Sequence, residues 1–135
     1  MKPTRLFFTA SIVMMTLFFC ASAYSAGMDA LRNTTPLQRA KLQTALMKKR
    51  LKLTRRQVPQ IMNINLKYAQ QMEPLIKGSG GKLVKMRQSM AIRKAKDGEL
   101  ARVLTPAQYQ AYLASKEQMQ QQMIEKVMEK RNHAG

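Results

Sequence analysis

Apolar positions along this chain recur at intervals of three and four residues, and no stretch shows the period-two alternation of a half-buried strand. A first helix is predicted over 36–51. Thr35 stands as its N-cap, Gln38 follows three residues later, and Pro36 takes the first helical position, where a missing amide costs no bond. Leu42 and Leu46 then share one face. A second start is written in Leu53-Thr54-Arg55-Arg56-Gln57-Val58. The Thr54 hydroxyl can accept from the amide of Gln57, the Gln57 side chain can return to the amide of Thr54, and Leu53 can pack on Val58, a capping box with a hydrophobic staple. Val58, Ile61, Met62, Tyr68, Ala69, Met72, Leu75 and Ile76 continue the helical stripe. Pro59 removes the amide that would bond Arg55, so a disturbed first turn is expected, and Pro74 should bend or end the last one.

Gly78-Ser79-Gly80-Gly81 breaks the pattern. A third helix is predicted from about Lys82 to Val103, with Leu83, Met86, Met90 and Leu100 facing inward and Gly98 as a weak point. Leu104-Thr105-Pro106-Ala107-Gln108-Tyr109 then repeats the earlier device, with Leu104 and Tyr109 as staple, Thr105 and Gln108 as box, and Pro106 at the first helical position. The last helix passes Tyr112, Leu113, Lys116, Gln120, Met123 and Val127 and ends near Arg131. The expected fold class is all-α, with about four helices.

The N-terminus changes the picture by assigning a compartment. Lys2 and Arg5 precede an apolar run from Leu6 to Cys20, and Ala21-Ser22-Ala23 supplies a small-x-small cleavage pattern. That is the layout of a secretory signal, cut after Ala23 in preference to the alternative after Ala26, which would put the bulky Tyr24 at the minus-three position. The run is short of the roughly 20 residues that a membrane span needs. Phe18 and Phe19 before Cys20 argue against a lipoprotein site. The expected organisation is a signal peptide over 1–23, a flexible leader over 24–34, a helical domain over 35–131 and a polar tail over 132–135. Cys20 leaves with the signal, so the exported chain can form no disulfide, and packing or dimerisation must supply its stability.

Charge is the strongest compositional signal. Lys and Arg number 24 against seven Asp and Glu, for a net charge of +17. The surplus is concentrated over 24–102, where 18 basic face four acidic side chains. In a cytosolic chain this would suggest nucleic acid. Export leaves acidic proteins first and anionic lipid second as partners, and no nucleic acid. The densest group is Lys48, Lys49, Arg50, Lys52, Arg55 and Arg56, whose mutual repulsion an acidic partner would relieve. A looser group holds Lys82, Lys85, Arg87, Arg93, Lys94 and Lys96. A solvated helical face remains open as the alternative for each.

Candidate chemistry adds little. With His133 as the single His and no acid pair that converges, no catalytic or metal centre can be assembled, so neither enzymatic activity nor a cofactor is expected. Met86 with Met90, or Met119 with Met123, could share a face at i and i+4, but thioethers alone make a poor copper site. Nine methionines follow the signal segment, and flexible thioethers suit either gap-filling or a promiscuous binding surface.

Leu-Thr-x-x-Gln thus occurs twice, as Leu53, Thr54 and Gln57 and as Leu104, Thr105 and Gln108. Two copies about fifty residues apart in a short, basic, helical, exported chain resemble the LTxxQ family of periplasmic proteins, the Spy/CpxP-like group. The stretches INLKYAQQMEPL and LTPAQYQAYLASKEQM read like that family too. The resemblance covers roughly residues 40 to 130. It implies a cradle-shaped antiparallel homodimer in the periplasm that holds unfolded proteins without ATP. The alternative it offers is an envelope-stress regulator that docks on the periplasmic domain of a sensor kinase. The six motif residues carry over as shapers of helix ends, not as catalysts.

Overall fold

Helix starts in the computed structural model, which describes residues 27–134, follow the caps and prolines of the chain. Helix α1 (Pro36–Leu51) opens on Thr35, whose Oγ1 accepts from the Gln38 amide at 3.2 Å while Gln38 Oε1 accepts from the Thr35 amide at 2.9 Å. Three cations, Lys48, Lys49 and Arg50, occupy its last turn, where the exposed carbonyls favour positive charge. It stops at Lys52, which adopts the left-handed conformation (φ 52°, ψ 51°) and lets the Leu53 amide turn back to Lys48 O at 3.3 Å.

Helix α2 (Gln57–Lys77) begins three residues after its Thr, as a disturbed first turn requires. Thr54 O receives the amides of both Gln57 and Val58, at 3.1 and 3.2 Å, and Pro59 then has no amide to offer the Arg55 carbonyl. Pro74 does not end this helix. One more turn follows, closed by the Gly78 amide on Pro74 O at 2.8 Å. Helix α3 (Lys82–Val103) runs through Gly98 unbroken, and α4 (Pro106–His133) opens on a complete capping box of Thr105 and Gln108. No strand occurs among the described residues. A fifth, short helical stretch covers 27–31.

Helix α2 packs between α1 and α3, and α4 returns to lie along α1. The fourth side of this arrangement is the loosest, because α3 and α4 touch at few places. One core cluster gathers Met47, Leu51, Leu53, Ile61, Leu100, Leu104, Tyr112 and Met119, so both motif leucines are buried together. A second holds Leu31, Ile76 and Met123, with Leu42, Met72, Ile124 and Val127 packed against it. Leu46 bridges the two.

Two expectations need correcting. Leu83, Met86 and Met90 do not face inward; they are 56%, 43% and 63% exposed. The buried face of α3 is Ser89, Lys96 and Leu100, about a quarter of a turn away around the axis. Helix α3 has only α2 and a little of α4 to pack on, so a second apolar stripe finds no neighbour. Residues 27–31, placed by the sequence in a flexible leader, are helical, and Ala30 and Leu31 are buried. Arg39 fastens this segment: its buried guanidinium donates to Thr34 O at 2.8 Å and Ala69 O at 3.3 Å and pairs with Glu73. Burial pushes the Glu73 carboxyl up, but its bonds with Lys77 and Arg39 outweigh that and hold it below the usual range. The signal segment and its cleavage point lie outside the described residues.

Candidate functional site

The two Leu-Thr-x-x-Gln copies meet. Gln57 and Gln108 each turn their side-chain oxygen to their own cap, accepting from Thr54 N–H at 2.9 Å and from Thr105 N–H at 3.0 Å. Each amide nitrogen then reaches across to the other motif. Gln57 Nε2 donates to Gln108 Oε1 at 2.7 Å and to Val103 O at 3.1 Å. Gln108 Nε2 donates to Gln57 Oε1 at 3.1 Å and to Leu51 O at 3.2 Å. The reciprocity is that of an approximate two-fold relation between the α1–α2 and α3–α4 corners. Each glutamine caps its own helix start and also donates to the last carbonyl of the helix that ends at the other corner. Sequence spacing signals the first of these roles and is blind to the second.

The dense cation group surrounds this corner. Lys48, Lys49, Arg50, Lys52, Arg55 and Arg56 are all exposed and form no ion pair among the described residues. Their chain neighbours Leu51 and Leu53 are buried, and the apolar surface beside Lys49 and Arg50 is that of Ala45 and the partly buried Leu42 and Leu46. The exposed Leu83, Val84, Met86 and Met90 lie at the other end of α3, about 25 Å along the axis from Val103. Lys82, Arg87, Arg93 and Lys94 are exposed on the same stretch, and no acid occurs between Lys82 and Asp97. The structure therefore separates the motif-end cations from a distinct ridge that is both apolar and basic. The sequence carries the signal for it: Leu83, Met86 and Met90 fall on one helical face and Ser89, Lys96 and Leu100 on another, and only one of them can be the core.

A cleft of about 110 Å³ opens on the loose side of the bundle, lined in part by Met72, Ile76, Ile92 and Met123. On its polar side Asp97 accepts from Tyr112 Oη at 2.6 Å and from Lys116 Nζ at 2.7 Å. Burial, and then the bond to Asp97, push the Tyr112 hydroxyl far up and keep it protonated. Lys96 also faces the cleft, with 8% of its surface exposed, and Nζ donates to Gln43 Oε1 at 2.8 Å. Burial lowers its pKa to about 7, against the pull of Asp97 and with the help of Arg93. The sequence counts this lysine among the loose cation group. Its place seven residues after Ser89 and four before Leu100 is the mark of the inner face.

Of the methionines, Met47, Met119 and Met123 are core, while Met86 and Met90 are surface. Among the described residues, no three His, Cys, Asp or Glu side chains gather where they could hold a metal ion, and no helix is long and apolar enough to cross a membrane.

A protein-family model described as a domain of unknown function (DUF4890) matches residues 26–112. The matched span takes in the helical segment at 27–31, both Leu-Thr-x-x-Gln copies, the ridge and Lys96. No curated protein matches the chain, and no solved structure does.

Proposed function

The chain belongs to the DUF4890 family, and we propose that it is an exported, ATP-independent holdase of the periplasm, akin to the LTxxQ proteins, that binds unfolded proteins on the α3 ridge. The observation that carries this is the exposure of Leu83, Val84, Met86 and Met90 among Lys82, Arg87, Arg93 and Lys94. Unfolded chains differ in sequence, so a surface that holds many of them needs contacts that adapt. Unbranched thioethers adapt without a fixed shape. The surrounding cations supply attraction at a distance, which acts mainly on the rate of encounter. The group at Lys48, Lys49, Arg50, Lys52, Arg55 and Arg56 adds to that field away from the ridge, and the leucines within it, Leu51 and Leu53, are buried. Two copies in an antiparallel dimer would set a ridge beside the partner's cation group, and such a dimer belongs to the same proposal. The secretory signal expected over 1–23 supports the compartment.

The test is suppression of aggregation of several unrelated denatured proteins, without nucleotide. The wild type delays aggregation of each. Changing Leu83, Met86 and Met90 together to Gln leaves capture rates close to wild type but speeds release about tenfold or more, since each lost apolar contact is worth about 1 kcal/mol or more. Changing Lys48, Lys49, Arg50, Arg55 and Arg56 to Gln slows capture of acidic clients, as 1 M salt does by cutting the screening length to about 3 Å. A wild type that delays none of the clients sinks the holdase and leaves the sensor-kinase regulator standing.

A further inference from the structure

Lys96 is a buried cation without a counter-ion. Among the described residues no carboxylate lies within ion-pairing distance of Nζ, and its hydrogen bond is to the neutral Gln43. A charge taken out of water in this way is costly unless something of opposite sign joins it. The carboxylates and cations facing the cleft from each helix are engaged or solvated. From α1, Arg39 is bound to Glu73 of α2. From α2, the Tyr68 hydroxyl donates to Glu99 at 2.8 Å. From α3, Asp97 is taken by Tyr112 and Lys116 of α4. Arg93 and Glu117, opposite in sign, are both exposed to water. Among these groups Lys96 alone is both buried and unmatched.

The space beside it has a definite character. In the two-fold relation of the glutamine corner, α3–α4 corresponds to α1–α2; the second pair packs closely and the first is parted. The parting leaves the 110 Å³ cleft, apolar along Met72, Ile76, Ile92 and Met123 and cationic at Lys96. An enclosed apolar cavity of about 150 Å³ takes a benzene molecule. A smaller cleft that is open on one side suits a chain of roughly six carbons whose charged end stays near the amine.

We propose that the cleft between α3 and α4 binds a small amphipathic carboxylate, with the Lys96 ammonium as its counter-ion and Met72, Ile76, Ile92 and Met123 receiving its alkyl chain. This site is independent of the ridge at Leu83, Met86 and Met90. Binding stabilises the charged amine, so above neutral pH the protein takes up a proton as the acid enters.

Hexanoate and the uncharged hexanamide are the probes, titrated into the full chain with methyl-labelled Met and Ile and followed by NMR. Hexanoate should shift the methyls of Met72, Ile76, Ile92 and Met123 and leave those of Met86 and Met90 in place. Its affinity should fall roughly a hundredfold from pH 6 to pH 9, about tenfold per unit above neutrality. Hexanamide should bind about tenfold or more weakly at pH 6 and show no such slope. Lys96→Met, close in length and apolar, should abolish both the preference for the acid and the pH slope. If that variant fails to fold, the wild-type comparison of the two probes decides by itself. Equal affinity for the probes, shifts confined to Met86 and Met90, a flat pH profile, or wild-type binding by a folded Lys96→Met protein would each overturn the site.

Discussion

Replacing Gln57 by Glu separates the two roles this residue plays. A capping box accepts Glu as readily as Gln, since only an oxygen must reach the cap amide. Local sequence logic therefore expects a change near zero, or slightly favourable at a helix N-terminus. The structure expects otherwise. Gln57 Nε2 donates to Gln108 Oε1 and Val103 O, and a carboxylate would point lone pairs at both acceptors. Two partly buried hydrogen bonds of about 1 kcal/mol each are lost, and repulsion adds to them, so Gln57→Glu should cost about 2–3 kcal/mol at pH 7. Gln57→Ala and Gln108→Ala should each cost about 2–4 kcal/mol, because each residue makes four such bonds. Two of the four are the same pair of mutual bonds. The double variant should therefore be less destabilised than the sum of the singles by about 2 kcal/mol. Facing acceptors, the introduced carboxyl has a folded pKa above its unfolded value of about 4.3, so stability returns as pH falls toward that value, where a proton restores the donor. Urea denaturation followed by circular dichroism, for the wild type and four variants, measures all of this. Additivity of the two alanine changes within about 0.5 kcal/mol, together with a harmless Gln57→Glu, would refute the clasp and leave two independent caps.

Gly78→Ala should destabilise by about 1–3 kcal/mol in the same assay, because an added Cβ would stand 2.5 Å from Pro74 O, a backbone atom held by the last turn of α2; Gly81→Ala, with nothing within 4 Å, is the control and should be nearly neutral. Lys96 has a folded pKa of about 7 against 10.5 for the free side chain, so between those values the unfolded chain binds the extra proton and stability rises with pH, by at most about 1.4 kcal/mol per unit. Below pH 7 both states are charged and this contribution is flat. Chemical denaturation from pH 6 to pH 10 should show the rise in the wild type and lose it in Lys96→Met.

Helix existence is the part of this protein most fully written in local sequence. Thr35, Thr54 and Thr105 with their glutamines three residues on, Pro36 and Pro106 at first positions, and the glycines at 78, 80 and 81 act within one turn of the chain, so their effect needs no partner. Pro59 belongs to the same class: its missing amide delays α2 to Gln57 whatever surrounds it. Pro74 marks where this logic thins. The Gly78 amide and the packing of Ile76 in the second core carry the helix a turn beyond the proline.

Which face of a helix becomes core is a different kind of question, because it depends on how many neighbours the helix has. Sequence alone determined an all-helical chain with two matched corners and an excess of positive charge. The tertiary structure decided that α3 has α2 on one side and little on the other, and so turned Ser89, Lys96 and Leu100 inward and left Leu83, Met86 and Met90 in water. It also brought Gln57 to Gln108 across fifty residues of chain, which no local pattern encodes, and buried Lys96 at the cleft with no ion-pair partner among the described residues. The physical reason is range. Caps and turns are satisfied by groups three or four residues apart, whereas burial, charge pairing and cross-chain hydrogen bonds are set by whichever surfaces the folded chain happens to place side by side.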